Sequence, residues 1–131
     1  MSNILYEHRD AEGELTIRTV AVSADTNFNG DIFGGWVMSQ MDMGAGIVAT
    51  KFSKKRVTTV AVDKMIFLNP VKVGDVVSCY GQLLKVGRTS MQIKIEVWIS
   101  RKLSSEELKV TEGIFTFVAI DDNGRPTPAQ N

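Results

Sequence analysis

The stretch from Asn27 to Asp42, NFNGDIFGGWVMSQMD, holds residues whose types and spacing suit acyl chemistry. A glycine pair, Gly34-Gly35, opens a run in which Asp42 is the only formal charge between Ile32 and Thr50. Trp36, Val37, Met38, Met41, Met43, Ile47 and Val48 cover most of the circumference of the helix this run predicts, so the helix is expected to be buried. A carboxylate in such surroundings must find hydrogen-bond partners or becomes harder to ionise. The first N–H groups of a helix lack intrahelical acceptors and attract anions. An acid in an apolar setting beside such a helix start is the combination expected for acyl transfer or hydrolysis.

The elements that must position these residues can be read along the chain. Glu14 to Val22 alternates as a strand, and Ser23 to Asp31 is a polar loop suited to turns and caps. The helix runs from about Gly34 to about Phe52. Its Gly44, Ala45, Gly46 and Ala49 make sense if a curved sheet or a partner helix packs very close. Four strands follow: Arg56 to Leu68, Val76 to Val86, Thr89 to Arg101 and Leu108 to Ile120. In the third of these, Met91, Ile93, Ile95, Val97 and Ile99 alternate with Gln92, Lys94, Glu96, Trp98 and Ser100, the pattern of a half-buried antiparallel strand. The order β-α-β-β-β-β predicts an α+β fold with the apolar helix at its core. Residues 1–12 read as a loose arm, 13–121 as a single domain, and 122–131 as an exposed tail.

Bulk properties exclude several classes. The chain has 131 residues, enough for a core without staples, and its fifteen acidic and fifteen basic side chains balance. No net field recruits nucleic acid or an anionic membrane. The single cysteine, Cys79, excludes an intrachain disulfide framework and suits a cytoplasmic location. Ser39, Gln40 and Asp42 interrupt the apolar helix, which argues against a membrane span. The only histidine, His8, lies in the arm, so a zinc site or a Ser-His-Asp triad is not expected. Gly44 to Ala49 matches a dinucleotide-binding glycine string, with Asp63 downstream, but no strand precedes it. Cys79 lies in a strand with no histidine partner and reads as a packed thiol. Lys54-Lys55-Arg56 and Arg88 read either as solvated charge or as phosphate ligands.

From Asp25 through Gly34-Gly35-Trp36 to Met41-Asp42, the chain strongly resembles hot-dog-fold acyl-CoA thioesterases, the bacterial YciA-like group most closely. The likeness continues through Arg56-Val57-Thr58-Thr59-Val60, Pro70 to Asp75, Lys85 to Ser90 and Glu96-Val97-Trp98, and ends near Thr116 to Ala119. It implies a hot-dog fold, with the sheet wrapped round the central helix. It implies hydrolysis of acyl-CoA thioesters to free CoA and a fatty acid, without metal or redox cofactor. It also implies double-hot-dog dimers, often assembled as trimers of dimers. By position Asp42 matches the family's catalytic carboxylate, and Asn27 an asparagine that related thioesterases use at the active site.

Beside that resemblance, elementary chemistry assigns tasks. The Gly34-Gly35-Trp36 N–H groups suit the developing oxyanion, where one donor is worth roughly 3–4 kcal/mol. The plainer role for the glycines is tight helix–sheet packing. Asp42 is expected to serve as general base for water or as the nucleophile of a transient mixed anhydride, and sequence does not choose between them; its plainer role is a buried aspartate satisfied by neighbouring backbone. Asn27 either orients the water or the carbonyl, or caps its loop. Gly35 and Asp42 are about 10 Å apart along one helix, too far for a single carbonyl to touch both. Two antiparallel helices across a two-fold axis solve this, predicting a homodimer with composite sites. Trp36, Arg88, Ser90, Lys54, Lys55 and Arg56 are the candidates for holding substrate and the CoA phosphates. The competing functions are a non-catalytic acyl-CoA-binding or regulatory domain, and a hot-dog dehydratase, which would need an active-site histidine.

Overall fold

The computed structural model describes residues 10–101 and 107–130, so His8 lies outside the described residues. Strand β1 (Glu14–Val20) leads to helix α1 (Gly34–Ser53), and β2 (Arg56–Phe67), β3 (Val76–Val86), β4 (Ser90–Ser100) and β5 (Glu107–Ile120) follow. This is the expected order, with bounds within a residue or two. A 3-10 turn at Ser23–Asp25 adds a piece of structure to a loop read only as polar. The strands form one antiparallel sheet in the order β1-β3-β4-β5-β2, curved around α1.

Period-two alternation in β4 builds the inner wall. Met91, Ile93, Ile95, Val97 and Ile99 are all fully buried on the helix-facing side. The opposite side departs from the expected solvated face, because Glu96 is only 2% exposed. Trp98 Nε1 donates to Glu96 Oε1 at 2.8 Å, and the Lys94 and Lys109 ammonium groups lie 3.4 and 3.8 Å from its Oε2. The N–H of Glu12 donates to the same carboxylate at 3.4 Å. A fully partnered carboxylate is tolerated where a lone one is not.

The helix also departs from expectation. Val37, Met41, Gly44, Ala45, Val48, Ala49 and Ser53 form the buried stripe. Met38, Met43 and Ile47 on the rest of the circumference are 39%, 51% and 46% exposed. One sheet covers one stripe, so the apolar remainder of α1 stays bare in a single chain.

The expected close approach is real and has two glycines at its centre. A Cβ on Gly44 would lie 2.7 Å from Thr16 Oγ1 and 3.4 Å from Cys79 Cβ, and one on Gly81 would lie 2.7 Å from Val48 Cγ2. Thr16 Oγ1 cannot simply swing away, since it donates to the Cys79 carbonyl at 3.2 Å. Cys79 is buried, and burial pushes its thiol up to about 12, as befits a packed side chain rather than a nucleophile. The Gly44 to Ala49 string lies wholly inside α1, where it can form no phosphate-binding turn.

Past β5 the chain is exposed at Asp121 to Gly124 and then differs from the exposed tail read from the sequence. Pro126 bridges to Ile120, the Thr127 N–H donates to the Ala119 carbonyl at 2.9 Å, and Ala129 is fully buried against the core. The Asx turn that reverses the chain is made by Asp121, whose Oδ1 accepts from the N–H groups of Asn123 and Arg125.

A Cβ at Gly46 would meet only Phe117, at an ordinary 3.5 Å. The gain in helix propensity is common to both positions, so comparing Gly44→Ala with Gly46→Ala isolates packing. In urea unfolding at matched concentration, Gly44→Ala is expected to be the less stable by about 1–3 kcal/mol. Equal midpoints would contradict the close approach.

Candidate active site

Asp42 follows the buried Met41 on α1 and lies at the margin of the buried stripe, half-buried. Its Oδ1 accepts a 2.5 Å hydrogen bond from Thr59 Oγ1 on β2. Such a bond to a charged oxygen is short and fixes the carboxylate's orientation. The acid therefore meets its solvation need through a side-chain hydroxyl, rather than through neighbouring backbone.

The groove that Asp42 lines is open, about 950 Å³ in volume and mainly apolar. Its walls are Ile17, Met43, Gly46, Ile47, Val57 and Phe117, with Thr50, Lys51, Thr58 and Thr59 supplying polar groups. A ligand path to the carboxylate exists. Thr59, Lys51 and Phe117 were not singled out from sequence. Thr59 belongs to the Val57-Thr58-Thr59 match, but no local pattern reveals that a strand hydroxyl will meet a helix acid.

At the other end of α1, Phe33 is the N-cap and its side chain caps nothing. The first turn holds no acidic residue. The Trp36 N–H already donates to the Phe33 carbonyl at 3.1 Å, which removes it from the trio of available donors. No group among the described residues accepts from the N–H of Gly34 or Gly35, so both remain for a ligand. At Gly34 the sheet leaves ordinary room for a side chain, whereas Gly35 is closely covered by the Phe33 ring. A Cβ on Gly34 would meet the Phe67 ring at 3.5 Å, and one on Gly35 would meet only the Phe33 ring at 3.2 Å. Gly34 borders an apolar cleft of about 360 Å³ with Val37, Phe67, Leu68 and Val71 among its walls.

Asn27 Oδ1 accepts from the N–H groups of Asn29 (2.9 Å) and Asp31 (3.1 Å). The loop-capping role is therefore real, and it leaves the Nδ2 donors unengaged among the described residues. Asn27 lines a hollow of about 340 Å³ with Thr26, Phe28 and Phe33. The loop is tied down by the Asp31–Lys72 ion pair at 2.5 Å and by the Ile32 N–H donating to the Val71 carbonyl.

Asn27, Gly34 and Asp42 thus open into three separate recesses of one chain. The chain alone does not bring them together. Trp36 is half-buried and packs against the core.

Three of the basic candidates, Lys54, Lys55 and Arg56, lie beside the acid's groove. Lys54, in the left-handed conformation that ends α1, lines a groove of about 660 Å³ with Lys55 and Arg56. That groove shares Thr50 and Val57 with the Asp42 groove, so the two adjoin. Arg88 is exposed in the β3–β4 turn, which the Gly87 N–H closes onto the Ser90 carbonyl at 2.8 Å, and Ser90 is half-buried there. No described helix is long and apolar enough to cross a membrane.

Comparison with known proteins places this geometry. The thioesterase superfamily matches residues 29–104. An uncharacterized acyl-CoA thioester hydrolase of Haemophilus influenzae is 57% identical over 121 residues, covering 89% of this chain and 78% of that one. The solved structure of a hexameric broad-specificity acyl-coenzyme A thioesterase superposes with a TM-score of 0.88 at 54% identity, covering 94% of this chain and 85% of that one. A hexameric thioesterase from Yersinia pestis gives 0.87 at 51% identity, covering 90% and 97%. With the family matched over more than half its length, and with relatives this similar across most of it, the chain belongs to the thioesterase superfamily and has its hot-dog fold.

Proposed function

We propose that this protein hydrolyses acyl-CoA thioesters, adding water across the C–S bond to give a carboxylic acid and free CoA. One observation carries the catalytic part. A half-buried carboxylate, held by a single hydroxyl, faces an open apolar groove large enough for an acyl chain. Thr59 occupies Oδ1, leaving Oδ2 to take a proton from water or to attack the carbonyl carbon. The Gly34 and Gly35 N–H groups hold the oxygen that becomes negative, and the Asn27 Nδ2 orients the water or the carbonyl. Trp36 contributes to the acyl side, and Lys54, Lys55, Arg56, Arg88 and Ser90 hold the CoA phosphates and ribose. Coenzyme A enters as part of the substrate, and the reaction as drawn needs no metal or redox group.

The site is composite. Support comes from the separation of Asp42 and Gly35 along α1 and from the bare apolar surface near both. Met38, Met43 and Ile47 on α1, and Val60, Val62 and Ile66 on the edge strand β2, are exposed in one chain. An unpaired apolar edge of this kind invites a second sheet. A two-fold dimer covers this surface and carries one protomer's Asp42 to its partner's glycine turn. Three such dimers would make a hexamer like those of the solved neighbours, working in the cytoplasm.

Thiol release from a panel of acyl-CoAs tests the acid. Asp42→Asn should lower kcat by roughly 10²–10⁴-fold. Thr59→Val should lower it by about ten- to a hundredfold, through a misplaced carboxylate. Undiminished turnover by Asp42→Asn would defeat the mechanism, while tight acyl-CoA binding with no hydrolysis by the native protein would identify a binding domain instead. Verified heterodimers of Asp42→Ala with Asn27→Ala chains should recover activity that neither parent has, because one of their two sites is intact. Their remaining inactive would refute the shared site.

A further inference from the structure

The residues after β5 do something the hydrolytic reading has not used. Pro128 and Ala129 are consecutive, and each holds one of the two basic segments assigned to the CoA phosphates. Lys55 Nζ donates to the Pro128 carbonyl at 2.6 Å, and the Ala129 N–H donates to the Arg88 carbonyl at 2.9 Å. A single peptide plane thus keeps the Lys55 ammonium and the Arg88 backbone within about 8 Å of each other, although 33 positions separate them in sequence. The plane is itself anchored. The Ala129 methyl is fully buried in the core, and the Thr127 N–H pairs with the Ala119 carbonyl. Chain ends usually fray unless something ties them down. Here the anchors are a buried methyl and β-type pairing with the end of β5, while both hydrogen bonds of the Pro128–Ala129 peptide go to the basic segments.

We infer that residues 126–129 form a strap that positions Lys55 and the Arg88 turn as one phosphate-binding unit, so that the strap governs recognition of the nucleotide half of acyl-CoA without touching the thioester. This rests on the acyl-CoA reading above and on its basic candidates. The physical reason is preorganisation. The Lys55 side chain loses rotamer freedom when it clamps a phosphate, and holding it beforehand lowers that cost, while at Arg88 the strap fixes the backbone of the turn that carries the side chain. The Pro128 carbonyl is among the partners of the Lys55 ammonium, and a phosphate oxygen, a stronger acceptor for a cation, can join it there. The strap residues are positioning residues, and their loss should appear in substrate binding rather than in bond cleavage.

The experiment compares the full-length protein with Ala129→Glu, which cannot seat in the core, and with the milder Thr127→Pro, which deletes one N–H donor. Each is assayed on a short acyl-CoA and on the pantetheine thioester of the same acyl group, which lacks the nucleotide. Thermal melts confirm that each variant is folded at the assay temperature. Arg88→Glu serves as the check on the phosphate reading itself. The strap variants should raise KM for acyl-CoA about tenfold, the loss of roughly one charge-assisted hydrogen bond. Their kcat and their KM for the pantetheine ester should stay within about twofold of the native values, a split of binding from chemistry. Equal losses on both substrates would mean a merely structural tail and would overturn the proposal, as would folded strap variants with native KM for acyl-CoA. If Arg88→Glu also spares the preference for acyl-CoA, the phosphate site is elsewhere and the strap's role falls with it. If Arg88→Glu abolishes that preference while the strap variants keep it, the site stands and only the strap is refuted.

Discussion

A 20-residue helix with apolar side chains around most of its circumference has a single five-stranded sheet to pack against. That mismatch governs the rest of the structure. The sheet takes the stripe through Val37, Met41, Ala45 and Val48, closing onto it where Gly44 and Gly81 permit contact. The uncovered side, with Met43 and Ile47, becomes a wall of the groove in which Asp42 stands. An acid at the seam between covered and uncovered surface is half-buried, yet open to whatever enters the groove. It can remain there because Thr59, on the last strand of the sheet, supplies a hydroxyl.

The same mismatch leaves apolar surface bare at the edge of the sheet. β2 is an outer strand whose register slips twice along β5, with Lys64 in the left-handed region at the second irregularity. Such bulges bend and twist an edge. They do not hide its apolar residues, since Val60, Ile66 and Phe67 remain exposed, as does Leu68 just past the strand. Gly34 borders a cleft walled by Phe67 and Leu68, so the bare edge and the uncapped helix start belong to one region. A helix start with two unengaged N–H groups is a poor terminus and a good oxyanion site. The proposed dimer covers the edge and gives those donors a ligand at once.

Much of this was legible in the sequence, for identifiable reasons. Strands β2 to β5 were found because each pattern changes at a strong turn signal, such as Asn69-Pro70, Gly74-Asp75 or Gly87-Arg88. The helix was found because its apolar run is long, and Asp42 because it is the run's only charge. What escaped depends on partners distant in the chain. Glu96 reads as an outward residue by alternation, yet lies buried beside Trp98 and two lysines because the chain near Glu12 crosses that face. Thr59 has no local signal, since its meaning depends on a helix seventeen residues earlier. The polar segment after Asp121 reads as a tail because nothing in its composition announces that one alanine will fill a hole in the core. Helix exposure departs from expectation for a different reason, because the sequence assigns all seven apolar side chains to the chain's own sheet, whereas Met38, Met43 and Ile47 are left uncovered by it.

The central claim is that one protomer's Asp42 and its partner's Gly34-Gly35 turn converge on the same carbonyl. The most direct measurement is a crystal structure of the assembled protein with an acyl-CoA analogue in which a methylene precedes the sulfur, so that the carbonyl remains but cannot be cleaved. The account predicts that the ketone oxygen lies about 3 Å from the Gly34 or Gly35 N–H of one chain, with the Asp42 carboxylate of the other facing the carbonyl carbon directly or through one water. A carbonyl bound with both groups from a single chain, or out of reach of Asp42, would contradict it.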